Sequence, residues 1–213
     1  MVKKFNTEGY CEPELHYMVD LTDRLKEVRE MVDAEKYFTI NRARQYGKTT
    51  LLTALAEYLK EDYEVISLDF QGISYADFAS EQNFVAAFSR QLLMCCENMP
   101  EDINREFEYY AYNKAGEVTL SALFILLAKM CRGTGKKIVL LIDEVDSASN
   151  NQVFIDFLAG LRQYYLMRRK ISTFQSVILT GVYDVRYVKQ KIRPDAEHKV
   201  NSPWNIAADF DVD

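Results

Sequence analysis

The sequence predicts an α/β protein with a mostly parallel, doubly wound sheet. Three observations lead there. Short β-prone apolar runs alternate with segments whose apolar residues recur at helical spacing. Two of those runs, Lys137–Ile142 (KIVLLI) and Phe174–Thr180 (FQSVILT), carry the β-branched and leucine-rich pattern of strands buried on both faces. A third run, Tyr37–Ile40, passes through a glycine-containing loop into a helical segment, a strand–loop–helix unit.

In chain order, Leu21 to Val32 places Leu21, Leu25, Val28 and Val32 on one helical face, with charge opposite and Asp20 or Thr22 as cap. After Tyr37–Ile40, Lys48–Lys60 resumes the helical period through Leu51, Leu52, Leu55 and Leu59. Glu64–Phe70 reads as a second strand. Phe78–Met94, Asp102–Lys114 and Leu120–Cys131 read as helices, the last stopped by Gly133 and Gly135. Between the two buried strands, Phe154–Met167 is helical. The final thirty or so residues lack strong periodicity, although Asn205–Val212 (NIAADFDV) is a further strand candidate.

Composition sets the outer limits. The chain has 213 residues, nearly half of them hydrophobic, which supports a sizeable core and excludes wholesale disorder. With 8 Gly and 4 Pro there is no linker-like tract, so one core over residues 35–213, preceded by an N-terminal segment and helix over 1–34, is the economical division. The net charge of −6 argues against whole-surface binding to nucleic acid. Cys11, Cys95, Cys96 and Cys131 have no metal-ligand spacing and read as reduced core thiols. No secretory h-region and no run of about 18 apolar residues is found, so a soluble, cytoplasmic protein away from membranes is expected.

The chemistry starts in YFTINRARQYGKTTLL, Tyr37–Leu52. A phosphate-binding loop aims backbone N–H groups at an anion from a helix N-terminus, where the helix dipole favours negative charge. It adds a lysine for the β- and γ-phosphates and a hydroxyl for Mg²⁺. Gly47, Lys48 and Thr49 fill those places, with Thr50 as a neighbouring hydroxyl. The usual pattern, G-x-x-x-x-G-K-[ST], begins with glycine, and here that position is Arg42. Arg42 and Arg44 bring positive charge beside the phosphates, and Gln45 and Tyr46 complete the loop.

The second motif is IVLLIDE, Ile138–Glu144. An apolar strand ending in two acids delivers both carboxylates to the carboxyl edge of a parallel sheet, where ligands bind. Asp143 suits Mg²⁺ and Glu144 suits a general base for water. Asp146 reads as a cap for the following helix. At the end of the next strand Thr180 is the candidate to touch the γ-phosphate and water, with Ser176 as alternative. Gly133–Lys137 (GTGKK) mimics half a phosphate loop, but it precedes a strand and lacks the hydroxyl, so it reads as a turn. Arg186, Lys189, Lys191 and Arg193 follow the last buried strand, and Arg168, Arg169 and Lys170 precede it. These are candidates for an arginine finger, a nucleic-acid contact or a solvated face. His16 and Tyr17 are candidates to flank an adenine base or to pack.

As a set, YFTINRARQYGKTTLL, IVLLIDEVD, SVILTGVYDV and NSPWNIAADF resemble the bacterial AAA-ATPase-like proteins of the AAA+ superfamily. The phosphate loop of that family typically reads R-x-R-[RQ]-[FY]-G-K-[ST], so Arg42 and Arg44 match its pattern. The resemblance, from about Tyr17 to the end, implies a phosphate-loop NTPase fold, a three-layer α/β/α sandwich. It implies ATP and Mg²⁺ held by Lys48, Thr49 and Asp143, and Glu144 as base. Relatives usually continue into a helical lid and often a restriction-endonuclease-like domain. This chain stops at Asp213, so a truncated AAA+-like core without the lid is expected, and nuclease activity is not carried over.

The sequence thus points to a Mg²⁺-dependent ATPase that drives or gates a conformational change, with a homo-oligomer and a DNA or protein partner near Arg186–Arg193 as candidate associations. The alternative is an ATP-dependent switch or DNA- or protein-binding module with little turnover. A GTPase is disfavoured because no N-K-x-D is found, and a nucleotide kinase because no arginine-bearing lid lies between strands.

Overall fold

The computed structural model describes residues 3–4, 14–17, 19–41, 47–96, 98–112, 118–148, 150–181 and 208–210. Five strands form one parallel sheet in the order β2-β3-β4-β1-β5. They are β1 (Tyr37–Asn41), β2 (Glu64–Asp69), β3 (Ile138–Asp143), β4 (Ser176–Gly181) and β5 (Ala208–Phe210). The helices are α1 (Thr22–Asp33), α2 (Lys48–Leu59), α3 (Glu81–Cys95), α4 (Glu101–Tyr112), α5 (Leu120–Gly133) and α6 (Gln152–Leu166).

Side-chain alternation along the strands divides the core into two layers, as the two-residue period of a strand requires. On one face Phe38, Ile40, Val139, Leu141 and Ile178 pack with Val28 and Val32 of α1 and with Leu51, Leu52, Leu55 and Leu59 of α2. On the other, Ile66, Leu68, Leu140, Ile142, Val177 and Leu179 meet α3, α5 and α6. This is the three-layer α/β/α sandwich. The second layer is aromatic: Phe84 and Phe88 lie 5.2 and 5.0 Å from Phe157, and Phe124 stacks on Phe157 at 5.6 Å. Gly160 lets α6 approach α5, because a Cβ there would lie 2.1 Å from the Phe124 ring.

Strand order controls where chemistry can happen. β4 lies between β1 and β3, with Ile40 paired to Thr180 and Ile142 paired to Leu179. The carboxyl ends of β1, β4 and β3 therefore stand side by side. The buried strands KIVLLI and FQSVILT are β3 and β4, each shifted one or two residues toward its carboxyl end. The candidate strand at Asn205–Val212 is β5 over Ala208–Phe210, its other residues lying outside the described ones.

Two local readings are corrected. The helix expected to begin at Phe78 begins at Glu81, because Ser80 accepts the Asn83 N–H at 3.1 Å and so caps it there. Phe78 instead closes a 3₁₀ turn, Tyr75–Phe78, and packs against Phe84 at 5.6 Å. At α1, Asp20 accepts the Thr22 N–H at 2.9 Å, so Asp20 is the capping group of the two considered. Cys95, expected in the core, is exposed at the end of α3, whereas Cys96 is buried and burial pushes its thiol up to about 11. Cys11 lies outside the described residues.

Candidate functional site

Helix α2 is pinned to the sheet by its apolar face, which fixes its N-terminus at the carboxyl edge beside β1. Gly47, its N-cap, sits in the left-handed region at φ 74°, a conformation glycine adopts without the Cβ penalty. The next residue, Lys48, turns inward, with a side chain only 5% exposed. Thr49 Oγ1 donates to Asp143 Oδ2 at 3.0 Å, tying α2 to the end of β3.

Asp143 is the hub. The residue is only 8% exposed. Oδ1 accepts the Glu144 N–H at 2.8 Å and the hydroxyl of Thr180, while Oδ2 accepts Thr49. A buried carboxylate needs such donors, since an unpaired one would be costly. Glu144 follows in the left-handed region at φ 53°, unusual for a residue with a Cβ and a conformation that concentrates at functional sites. That turn brings Glu144 Oε1 to 4.0 Å from Lys48 Nζ, an ion pair that offsets the burial of the ammonium.

Five of the residues singled out in the sequence therefore converge: Lys48, Thr49, Asp143, Glu144 and Thr180. Thr50 lies on the first turn of α2. Arg42, Arg44, Gln45 and Tyr46 lie outside the described residues, as do Arg186, Lys189, Lys191 and Arg193. The oxygen donors Thr49 Oγ1 and Asp143 Oδ2, 3.0 Å apart, are hard ligands of the kind Mg²⁺ takes in company with phosphates and waters. Among the described residues no cluster of three His, Cys, Asp or Glu exists, and a phosphate-shared Mg²⁺ needs none. No helix among the described residues is long and apolar enough to cross a membrane.

Other candidates fall elsewhere. Ser176 starts β4 and donates to Lys36 O at 2.6 Å, at the opposite end of the strand from Thr180. Asp146 does not cap α6, whose N-cap is Asn151. It lies in the 3₁₀ turn Val145–Ser147, and a Cβ on Gly181 would come within 2.8 Å of its Oδ2. Arg168 stacks over Tyr165 at 4.1 Å and approaches Glu35 at 3.7 Å. The GTGKK segment is a turn, where Lys136 Nζ donates to the carbonyls of Lys60 and Glu61.

One residue escaped the sequence reading. Asn41, expected beyond the strand, is its last residue and pairs with Gly181. Its Nδ2 donates to Thr39 Oγ1 at 3.3 Å, and its Oδ1 is buried with no hydrogen-bond partner among the described residues. The only sequence signal was a polar residue between an apolar strand and the loop.

Five parallel strands with helices on both faces and a glycine-to-helix junction after β1 define a phosphate-loop α/β ATPase core. The chain belongs to the predicted AAA-ATPase family, whose model matches residues 12–191. Among solved structures, the Aeropyrum pernix ORC2 protein in its ADPNP–ADP complexes aligns with a TM-score of 0.52 at 13% identity, covering 95% of this chain and 50% of that one. Cdc6p from Pyrobaculum aerophilum gives 0.49 at 13% identity, over 89% and 45%. A chain of Drosophila ORC bound to AT-rich DNA and Cdc6 gives 0.44 at 9% identity, over 89% and 53%. At 13% identity the likeness to the A. pernix protein speaks to the fold alone, and the chain spans about half the length of these proteins. No curated protein matches it by sequence.

Proposed function

We propose that this protein binds ATP with Mg²⁺ and hydrolyses it. The observation that carries the reading is the Asp143 carboxylate, which joins Thr49, Thr180 and the Glu144 backbone in one network beside the buried Lys48. Lys48 Nζ holds the β- and γ-phosphates once nucleotide draws it from Glu144, and Thr49 and Asp143 hold the metal. When bound, the metal would supply neutralisation of the phosphate charge. Glu144 accepts a proton from the attacking water, and Thr180 keeps Asp143 oriented and lies next to the γ-phosphate position. Arg42 and Arg44, just ahead of Gly47 in the sequence, add positive charge for the phosphates. The ADPNP–ADP complexes of the A. pernix relative support a nucleotide in a fold of this kind.

We assign the consequence of turnover to a conformational change passed to a second copy or to a DNA or protein partner, with the Arg186–Arg193 segment as the contact and the source of an arginine finger. A rival reading is an ATP-gated switch with little turnover. The Lys48–Glu144 contact favours it, since each of these groups occupies the other before nucleotide arrives. Steady-state phosphate release by wild type and Glu144→Gln, alongside ATP affinity, separates the two. An ATPase loses release and keeps affinity in the variant. A wild type that binds ATP without releasing phosphate supports the switch, and one that binds no ATP overturns both.

A further inference from the structure

Glu144 leaves β3 in the left-handed region, at φ 53°, and that turn carries its carboxylate toward Lys48. A backbone conformation of this kind persists only where its surroundings over-determine it. One restraint is the Asp143 carboxylate, which accepts from Thr49 and Thr180 on the α2 face of the sheet. A second lies on the opposite face. Successive strand residues alternate, so the Cβ position of Gly181 points away from that of Thr180, into the layer that holds Leu179 and Val145.

There the Asp146 carboxylate lies directly on Gly181. A Cβ at this glycine would stand 2.8 Å from Asp146 Oδ2 and 3.1 Å from both Oδ1 and Cγ, too close for a side chain to fit unless Asp146 moves. Backbone conformation does not demand a glycine here, because among the described residues only Gly47 has a glycine φ in the left-handed region. The carboxylate alone excludes an alanine. Val145 and Ala148 are fully buried, so the turn that carries Asp146 is held in the core. Residues 143–146 therefore straddle the end of β4: Asp143 meets Thr180 on one face, Asp146 meets Gly181 on the other, and Glu144 stands between them.

We propose that Gly181 and Asp146 are positioning residues for Glu144, the seat of the carboxylate on a bare Cα setting the turn that aims Glu144 at the attacking water. This rests on the ATPase reading above. A displacement of about 1 Å in a reacting group costs on the order of 100-fold in rate, so a small shift of this turn is enough to matter. A side chain at position 181 pushes Asp146, and the turn with it, away from β4. Lys48 and Thr49 belong to α2, on the other face, and keep their places. The effect therefore falls on turnover and spares nucleotide binding.

Single-turnover hydrolysis beside an equilibrium ATP titration tests the assignment. Gly181→Ala is expected to hydrolyse ATP about 10- to 100-fold more slowly than wild type, with ATP affinity within about threefold. Asp146→Ser, which shortens the side chain and removes the seat, is expected to lose about tenfold in rate. The double variant is expected to recover to within about fivefold of wild type, because the new methyl fills the space the carboxylate left. Without nucleotide, the crystal structure of Gly181→Ala is expected to show Glu144 Oε1 farther than 4.0 Å from Lys48 Nζ. An unchanged rate in Gly181→Ala, losses that multiply in the double variant, an ATP affinity that falls as far as the rate, or an unmoved Glu144 each overturns the role while leaving the ATPase reading intact. A wild type that binds ATP without hydrolysing it fails the ATPase reading itself, and the role falls with it.

Discussion

The Thr49 hydroxyl donates to Asp143 Oδ2 at 3.0 Å, although 94 residues separate the two in the chain. The contact joins the first turn of α2 to the last residue of β3, and through Asp143 Oδ1 it continues to Thr180 at the end of β4. Three elements thus meet at one carboxylate, the group we propose for the metal.

Asp143→Asn keeps the shape but removes the charge and turns one of the two acceptor oxygens into a donor amide. Nucleotide affinity measured with Mg²⁺ is expected to fall by about tenfold or more. Affinity measured with a chelator in place of Mg²⁺ is expected to change little. Equal losses under both conditions would mean that the residue shapes the site without meeting a metal.

Thr180 is 1% exposed, and Thr180→Val is close to isosteric. Stability is expected to drop by about 1 kcal/mol for the lost hydrogen bond to Asp143. The rate of ATP hydrolysis is expected to fall about 100-fold at nearly constant ATP affinity. Single-turnover hydrolysis with an equilibrium titration measures both, and an affinity loss as large as the rate loss would contradict this role.

Gly160 carries a packing prediction away from the site. A Cβ there would lie 2.1 Å from the Phe124 ring, between α5 and α6. Gly160→Ala should destabilise by about 1–3 kcal/mol in chemical denaturation while leaving nucleotide affinity unchanged. A variant as stable as wild type would mean that these helices pack less closely than described.

Tyr37 is 1% exposed, and its hydroxyl donates to Phe174 O at 3.3 Å. Burial pushes its pKa well above the usual 10.0. Because the folded-state value is raised, its contribution is fully present below pH 10 and is lost as pH rises from there. Tyr37→Phe is expected to be about 1 kcal/mol less stable at pH 7. The gap should close within about one pH unit above 10 and then reverse, since the wild type loses up to about 1.4 kcal/mol per pH unit there. Parallel pH profiles of the two proteins, with a constant gap, would refute that reading.

Much of this was legible in the chain, and the misses have physical causes. β3 and β4 were readable because strands buried on both faces must be apolar throughout, and the spacing of Leu51, Leu52, Leu55 and Leu59 betrayed α2. Ser176 and Thr180 share a face of one strand, and only the direction of β4 separates them. What sequence patterns do not contain is strand order. The insertion of β4 between β1 and β3 puts Gly181 against Asp146 and beside Asn41, three residues that local propensity treats as turn, cap and loop. The left-handed backbone at Glu144 was equally hidden, since nothing in a glutamate announces φ 53°.

We propose the N-terminus of α2, with Lys48 buried beside Glu144, as the site for Mg·ATP. Equilibrium titration of wild type and Lys48→Ala with a fluorescent ATP analogue and Mg²⁺ tests it most directly. Wild type is expected to bind saturably and the variant at least about tenfold more weakly, both remaining folded. Equal affinity in the two proteins, or no binding by wild type, would contradict it.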